Sequence, residues 1–242
     1  MNFRTPLKFA IQRFLRSIGW EIRRFRLADM EQLAQSLAIH KVTTVLDVGA
    51  NIGQFAQSLR NSGFSGRIIS FEPQSDAHAR LSALAKSDPN WIIAPRCALG
   101  AEPGELDMNI SDNSVSSSLL PIMGDHVSNA PSSRYIRTEK VPVIRLDDCD
   151  LIPANETIFI KIDTQGFEEH VLNGSPKLLA KAAGLQFEMS IAKLYEGQAD
   201  WLKLLERAQN AGYVLWHLET GFRDKATGQV LQADATLFRG YR

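Results

Sequence analysis

The sequence predicts an α/β fold: a mostly parallel sheet with helices on both faces, an antiparallel strand at its C-terminal end, and a helical extension in front. Three observations point to it. Short apolar strands alternate with helical stretches from residue 43 onward, the pattern of βαβ units. A glycine turn follows the first strand directly. The chain has 242 residues, 44% hydrophobic and 22% charged, which suits one large domain with an appendage and excludes wholesale disorder.

The first 26 residues stand apart. They hold seven basic residues (Arg4, Lys8, Arg13, Arg16, Arg23, Arg24, Arg26) against one acid, Glu21. Leu7, Ile11, Phe14, Leu15, Ile18, Ile22 and Phe25 recur at spacings of three and four, one face of an amphipathic helix. Arginines interrupt any apolar core of a signal peptide, so the stretch is not read as one. A basic amphipathic helix has two uses: packing its apolar side on the domain, or peripheral contact with an anionic membrane surface through residues 1–26. Residues 1–40 are therefore expected as an N-terminal helical extension and 41–242 as the main domain.

Within the main domain, residues 44–48 read as a buried strand and 53–61 as a helix. Residues 67–71 form a second strand, 74–86 a helix and 91–94 a third strand. Strands are expected at 105–110 and 141–146. Between them, residues 111–133 contain eight serines and two prolines, a stretch without periodicity that predicts a lid or loop. Residues 157–162 are apolar until Lys161 and read as a strong strand, followed by a helix over 167–172. A strand at 185–189, a helix at 200–211 and a strand at 213–217 continue the alternation. Residues 229–231 and 235–238 suggest a closing hairpin.

Composition narrows the function. Lys plus Arg and Asp plus Glu each total 27, giving a net charge of zero, which argues against a nucleic-acid partner. The two cysteines, Cys97 and Cys149, form neither a disulfide framework nor a zinc signature, and the expected location is the cytoplasm, with the inner membrane face open through residues 1–26. No apolar run reaches the length of a membrane span.

The sharpest signal is Val45-Leu46-Asp47-Val48-Gly49-Ala50-Asn51-Ile52-Gly53. A buried strand ends in an acid, and glycines four apart open a helix where a ligand must approach the backbone. Ala50 and Asn51 break the dinucleotide pattern, and Asp47 suits an ammonium better than a pyrophosphate. The second strand ends in Glu72-Pro73, 19 residues after Gly53, where a carboxylate can accept ribose hydroxyls. This pairing resembles the first motifs of S-adenosylmethionine-dependent methyltransferases. Cys97-Ala98-Leu99-Gly100, Ser116-Ser117-Ser118-Leu119, Arg145-Leu146-Asp147-Asp148 and Ile160-Lys161-Ile162-Asp163-Thr164-Gln165-Gly166-Phe167-Glu168 follow in an order that resembles the FkbM-type methyltransferase family over residues 43–239. The resemblance implies a Rossmann-like class I methyltransferase fold and S-adenosylmethionine as cofactor. Carried over, Asp47, Gly49, Ala50, Asn51, Gly53, Glu72 and Pro73 match cofactor positions, and Ala98 and Leu99 border the adenine.

The resemblance also implies chiefly O-methylation of sugars or natural products. The expected acceptor is a hydroxyl of a saccharide or glycolipid intermediate. A small secondary metabolite, or a non-catalytic membrane-associated binding protein on the same scaffold, is the alternative. Ligands of open α/β sheets sit outside the carboxyl ends of the strands. Methylating an alcohol requires a base within reach of its proton. Asp163, at the end of the fourth long strand, is the first candidate, with Glu188 and His217 behind it. Asp163 and Glu188 also offer two oxygens of the kind Mg²⁺ takes, too few to assign a metal site.

Overall fold

The computed structural model describes residues 29–123, 130–224 and 226–240. The amphipathic stretch of residues 1–26 lies outside them. The first described element is helix α1 (Asp29–Ile39), which leads into strand β1 (Thr44–Val48), buried along its whole length. Helix α2 (Gln54–Asn61) crosses to β2 (Arg67–Phe71), and α3 (Ser75–Ala85) crosses to β3 (Trp91–Ile93). Strands β4 (Ala98–Leu99), β5 (Gly104–Ser111) and β6 (Tyr135–Ile144) come next. Then follow β7 (Ile158–Ile162), α4 (Glu168–Asn173), α5 (Pro176–Lys181), β8 (Gly184–Ser190), α6 (Trp201–Asn210), β9 (Tyr213–Thr220) and β10 (Gln232–Arg239).

Seven strands form the main sheet in the order β3-β2-β1-β7-β8-β10-β9. The first five are mutually parallel, and β10 runs antiparallel to both β8 and β9. Alternate residues of the strands feed two cores, as a period of two requires. Leu46, Ile160, Ile162, Leu185 and Phe187 face one layer, against Val171, Leu178 and Leu204 of α4, α5 and α6. Val45, Ile68, Phe159 and Phe238 face the other, against Leu37 of α1, Leu59 of α2 and Leu81 of α3. Each such fully buried side chain contributes about 1.5–3 kcal/mol.

One expectation is corrected. The closing hairpin at 229–231 and 235–238 does not form: the last strand inserts between β8 and β9, because its inward residues Ala233, Ala235 and Leu237 complete the first core. The strands expected at 105–110 and 141–146 both form, the second ending at Ile144. They belong to a separate three-stranded sheet, β4-β6-β5, in which β6 begins at Tyr135. Their exposed Leu106 and Ile136 show why a core-facing pattern did not mark their full length.

Candidate active-site cleft

The carboxyl ends of β1, β2 and β7 open onto a cavity of about 340 Å³, within the usual range for small-molecule sites. The turn after β1 shapes its floor. Gly49 has φ +75°, and a Cβ there would lie 1.8 Å from the backbone oxygen of Asp163. Only glycine lets the ends of β1 and β7 pass so closely. Gly53 has φ +94°, and its Cβ would meet the Trp91 ring at 2.8 Å. Gly49, Ala50 and Asn51 line the cavity, whereas Gly53 does not. Its glycine serves the turn and the packing on β3, which corrects the expected cofactor contact.

Glu72 lines the cavity and is 5% exposed. Its Oε2 accepts from the Asn51 backbone N–H at 2.7 Å, and its Oε1 from that of Gln74 at 2.8 Å. Burial pushes its carboxyl up to about 7 against the pull of these two N–H groups. Each oxygen keeps a lone pair for a further donor. Pro73, Ala98 and Leu99 line the same end, with Phe71 and Cys97.

Asp47 departs from its expected place. It is fully buried and absent from the cavity wall; its Oδ1 lies 3.1 Å from Nζ of Lys161, and Ser70 Oγ donates to its Oδ2 at 3.3 Å. The physical reason is the sheet register: Asp47 stands opposite Ser70 on β2 and Lys161 on β7, so its side chain joins their row rather than the strand ends. Lys161 is the group that reaches the cavity. It also donates to the Gly49 carbonyl at 3.1 Å and lies 3.6 Å from Asp163 Oδ2. Burial opposes its charge, but Asp47 and Asp163 outweigh that and hold the ammonium above its ordinary range.

Asp163 lines the cavity with its side chain 38% exposed. Its Oδ1 accepts from Gln165 Nε2 at 2.9 Å, and the same nitrogen donates to Glu188 Oε2 at 2.9 Å. Gln165 carries a positive φ of 54°, a costly conformation for a residue with a side chain. Its surroundings enforce it: Tyr195 Oη donates to its Oε1 at 2.8 Å, and Ser118 Oγ to its backbone oxygen at 2.7 Å. Buried Glu168 closes the turn by accepting from the Thr164 and Gly166 N–H groups at 3.0 and 3.1 Å. Burial raises Glu168 to about 7.

Two base candidates fall away. Glu188 sits behind Gln165, outside the cavity wall, and also accepts from Gln232 Nε2 at 2.7 Å. Burial first, then Asp163, Glu168 and Asp234, push it well above the carboxylate range. His217 points at α1, where its Nε2 is 3.0 Å from Ser36 Oγ, because its register partner is Thr236 rather than the strand-end residue Asp234. The Mg²⁺ expectation loses its ligand pair, since the Gln165 amide bridges Asp163 and Glu188. Among the described residues no group of three His, Cys, Asp or Glu side chains converges as a metal shell.

Sequence reasoning missed Asp234 and Glu219, which line the cavity. They stand opposite each other on β10 and β9, and Asp234 stands opposite Glu188 on β8, a juxtaposition that only the strand order reveals. Burial and Asp163 push Asp234 up to about 7. Lys161 did leave a signal, as the lone charge in an apolar strand. From the serine-rich stretch, Ser114, Val115, Ser117, Ser118 and Leu119 form a wall of the cavity; residues 124–129 lie outside the described residues.

The family pattern described as the methyltransferase FkbM domain matches residues 47–215, from the Asp47 turn into β9. No curated protein sequence matches the chain. Among solved structures, the chain is similar to EvdMO1, with 13% identity over 99% of this chain and 50% of that one, and a TM-score of 0.43. It spans half the length of that protein. It is also similar to the TehB-like SAM-dependent methyltransferase of Corynebacterium glutamicum ATCC 13032 Kitasato, with 12% identity, coverage of 99% and 100%, and a TM-score of 0.43. TehB of Haemophilus influenzae shows 11% identity, coverage of 86% and 62%, and a TM-score of 0.46. These distant similarities decide nothing about chemistry. The matched segment, however, runs from the glycine turn through the serine-rich wall to the Asp163 loop, and on that match the chain belongs to the methyltransferase FkbM domain family.

Proposed function

We propose that the chain is an O-methyltransferase that methylates a hydroxyl of a saccharide or glycolipid intermediate, with Asp163 receiving the hydroxyl proton. The observation that carries this reading is the carboxylate of Asp163, presented to the cavity and fixed from two sides by Gln165 Nε2 at 2.9 Å and Lys161 Nζ at 3.6 Å.

The residues present fit S-adenosylmethionine. Glu72 would hold the ribose diol through its remaining lone pairs, while Ala98, Leu99 and Phe71 offer an apolar seat for the adenine. The backbone of residues 49–51 would border the amino-acid end, and Asp163 turns its carboxylate to the acceptor. Bound there, the cofactor supplies an electrophilic methyl group. The chain's own work is to orient the acceptor, keep water out and take one proton from the attacking oxygen at an Asp163 carboxylate oxygen.

The acceptor half of the cleft supports a polyhydroxyl partner. Gln54, Gln165, Gln186, Asp234 and Glu219 line it, a set of amides and carboxylates that pairs with neutral hydroxyls. Asp163, Asp234 and Glu219 together would repel a phosphate or carboxylate placed beside them.

The test is methyl transfer from S-adenosylmethionine to a panel of uncharged saccharides and small phenolic or polyketide alcohols, with the product linkage assigned by NMR. A methyl ether on a saccharide hydroxyl is expected. Asp163→Asn should lower kcat by about 10²–10⁴-fold while cofactor affinity is retained. Full turnover by that variant, or methylation confined to nitrogen or to phenols, would overturn the reading.

A further inference from the structure

Asp163 lies in a crowded electrostatic field. Lys161 on its own strand, Glu168 of α4, Glu188 of β8, Asp234 of β10 and Tyr195 beyond β8 all face it. Glu219 of β9 adds to the same field through Asp234. Lys161 is the cation of this group, set against several acids. Like charges at close range favour the protonated form of a carboxyl, whereas a base must arrive at the reaction without its proton. Gln165 stands between Asp163 and the acid behind it. Its Nε2 donates to Asp163 Oδ1 and to Glu188 Oε2, both at 2.9 Å, so one amide nitrogen holds two carboxyls apart. An amide brings two donors without a charge, and a hydrogen bond given to the ionised form favours that form.

The surroundings fix which way this amide points. Tyr195, 1% exposed, donates from its Oη to Gln165 Oε1 at 2.8 Å. Turning the amide over would set its oxygen against Asp163. Glu188 Oε2 also accepts from Gln232 Nε2 at 2.7 Å, which anchors the rear acid independently. The backbone bends to allow the arrangement. Gln165 at φ +54° and Gly166 at φ +96° are two consecutive left-handed residues. Glycine or asparagine would take the first position at less cost. Glutamine is long enough to bring an amide to Asp163, Glu188 and Tyr195 at once. A Cβ on Gly166 would lie 3.1 Å from Tyr195 Cβ and 3.2 Å from Leu120 Cδ1. The turn is thus pressed between the Tyr195 loop and the serine-rich wall, where Ser118 Oγ bonds the Gln165 carbonyl. Strain that is held from two sides marks a position where the side chain is needed.

We propose that Gln165 is a positioning residue for methyl transfer: it aims the Asp163 carboxylate at the acceptor and keeps it ionised by holding Glu188 away from it. The proposal rests on the reading of Asp163 as the group that receives the hydroxyl proton. It also ties that group to Tyr195 and Ser118, so the walls that shape the acceptor end set the orientation of the base.

The titration of Asp163 tests this without any acceptor. In full chains labelled with ¹³C at the aspartate side-chain carboxyl, the Asp163 signal is the one that Asp163→Asn removes. Gln165→Glu, which sets an acid where the amide stood, should move its midpoint upward by at least about one pH unit, a tenfold gain in proton affinity. Gln165→Met, which removes the donors without adding charge, should move it the same way by less. A midpoint unmoved in both variants would overturn the proposal, even if their melting temperatures fall, because Gln165 would then serve the fold alone. Turnover of the saccharide that the native chain methylates gives a second readout. Gln165→Glu should lower kcat at least about tenfold at neutral pH, recover it at alkaline pH and leave the acceptor KM unchanged. A loss of kcat that is equal at every pH would also overturn the proposal. The two readings fail separately: full turnover by Asp163→Asn removes the base, whereas an inactive Asp163→Asn with an unmoved midpoint in the Gln165 variants removes only the positioning role.

Discussion

Lys161 organises the floor of the cleft. Its ammonium touches a carboxylate below (Asp47), one at the cavity (Asp163) and the Gly49 carbonyl that opens the glycine turn. Removing it leaves Asp47 as a charge with no exposed surface. Lys161→Met should therefore cost about 3–5 kcal/mol of stability, because one partner of a buried pair is left behind. Lys161→Met combined with Asp47→Asn should recover much of that loss. Urea unfolding of both variants checks the pair; equal stability of the single variant and the native chain would show that the contact carries nothing. Glu72 sets a different dependence. Its carboxyl titrates near 7 because burial opposes its charge, and ribose hydroxyls donate best to the ionised form. S-adenosylmethionine affinity should rise as pH climbs through about 7 and then level off. Glu72→Gln should lower the affinity and remove that rise, measured by calorimetry across the range. A native affinity that is flat from mildly acidic to mildly alkaline pH would sink the assignment.

At the scale of elements, the junction of β1 with β7 is the tightest point of the architecture. Gly49 passes the Asp163 carbonyl where a Cβ would lie at 1.8 Å, and its φ is positive. Gly49→Ala must push β7 and the Asp163 loop away, so it should abolish transfer and lower the melting temperature, whereas Gly63→Ala, with open space around its Cβ, should cost only backbone strain. Similar behaviour of the two variants by calorimetry would show that the crossing is loose. This junction was legible in the sequence: a buried β-branched run, an acid and two glycines at fixed spacing announced both strand and turn. The parallel strands β1, β2, β7 and β8 were equally plain, since burial on both faces makes them continuous apolar runs. What stayed hidden depends on register. Asp47 looked like a ligand until its neighbours on β2 and β7 were known, and His217 looked like a rim residue until β10 was seen to pair it with Thr236. Gln165 sat inside a quoted motif, yet its role rests on a positive φ and three partners distant in sequence.

Across the whole molecule, the cleft gathers acids whose charge burial opposes. Glu72, Glu168 and Asp234 rise to about 7 and Glu188 is raised as well, each with burial as the first cause. An acid with a raised folded value binds more protons folded than unfolded once pH passes its ordinary value, so stability falls as pH climbs from there to the folded value. For these groups the falling window runs from about 4 to about 7. Two effects oppose it. Asp88 and Glu139 are lowered by Arg60 and Arg137 despite their partial burial, which protects the fold only down to their own titration below that window. His40 and His217 are lowered by burial, so their deprotonation in the unfolded chain adds stability as pH rises through about 6.5. Four deeply placed acids against two partly exposed imidazoles leave the acids dominant. The melting temperature of the ligand-free chain should therefore peak near about pH 4 and fall toward about pH 7, below the usual optimum for a globular domain. Asp234→Asn should flatten the fall, because its neighbours Glu188 and Glu219 then face an amide rather than a like charge across the strands. A melting temperature that climbs steadily from mildly acidic to neutral pH in the native chain would mean that the carboxylates are solvated and that the cleft is wetter than its packing implies.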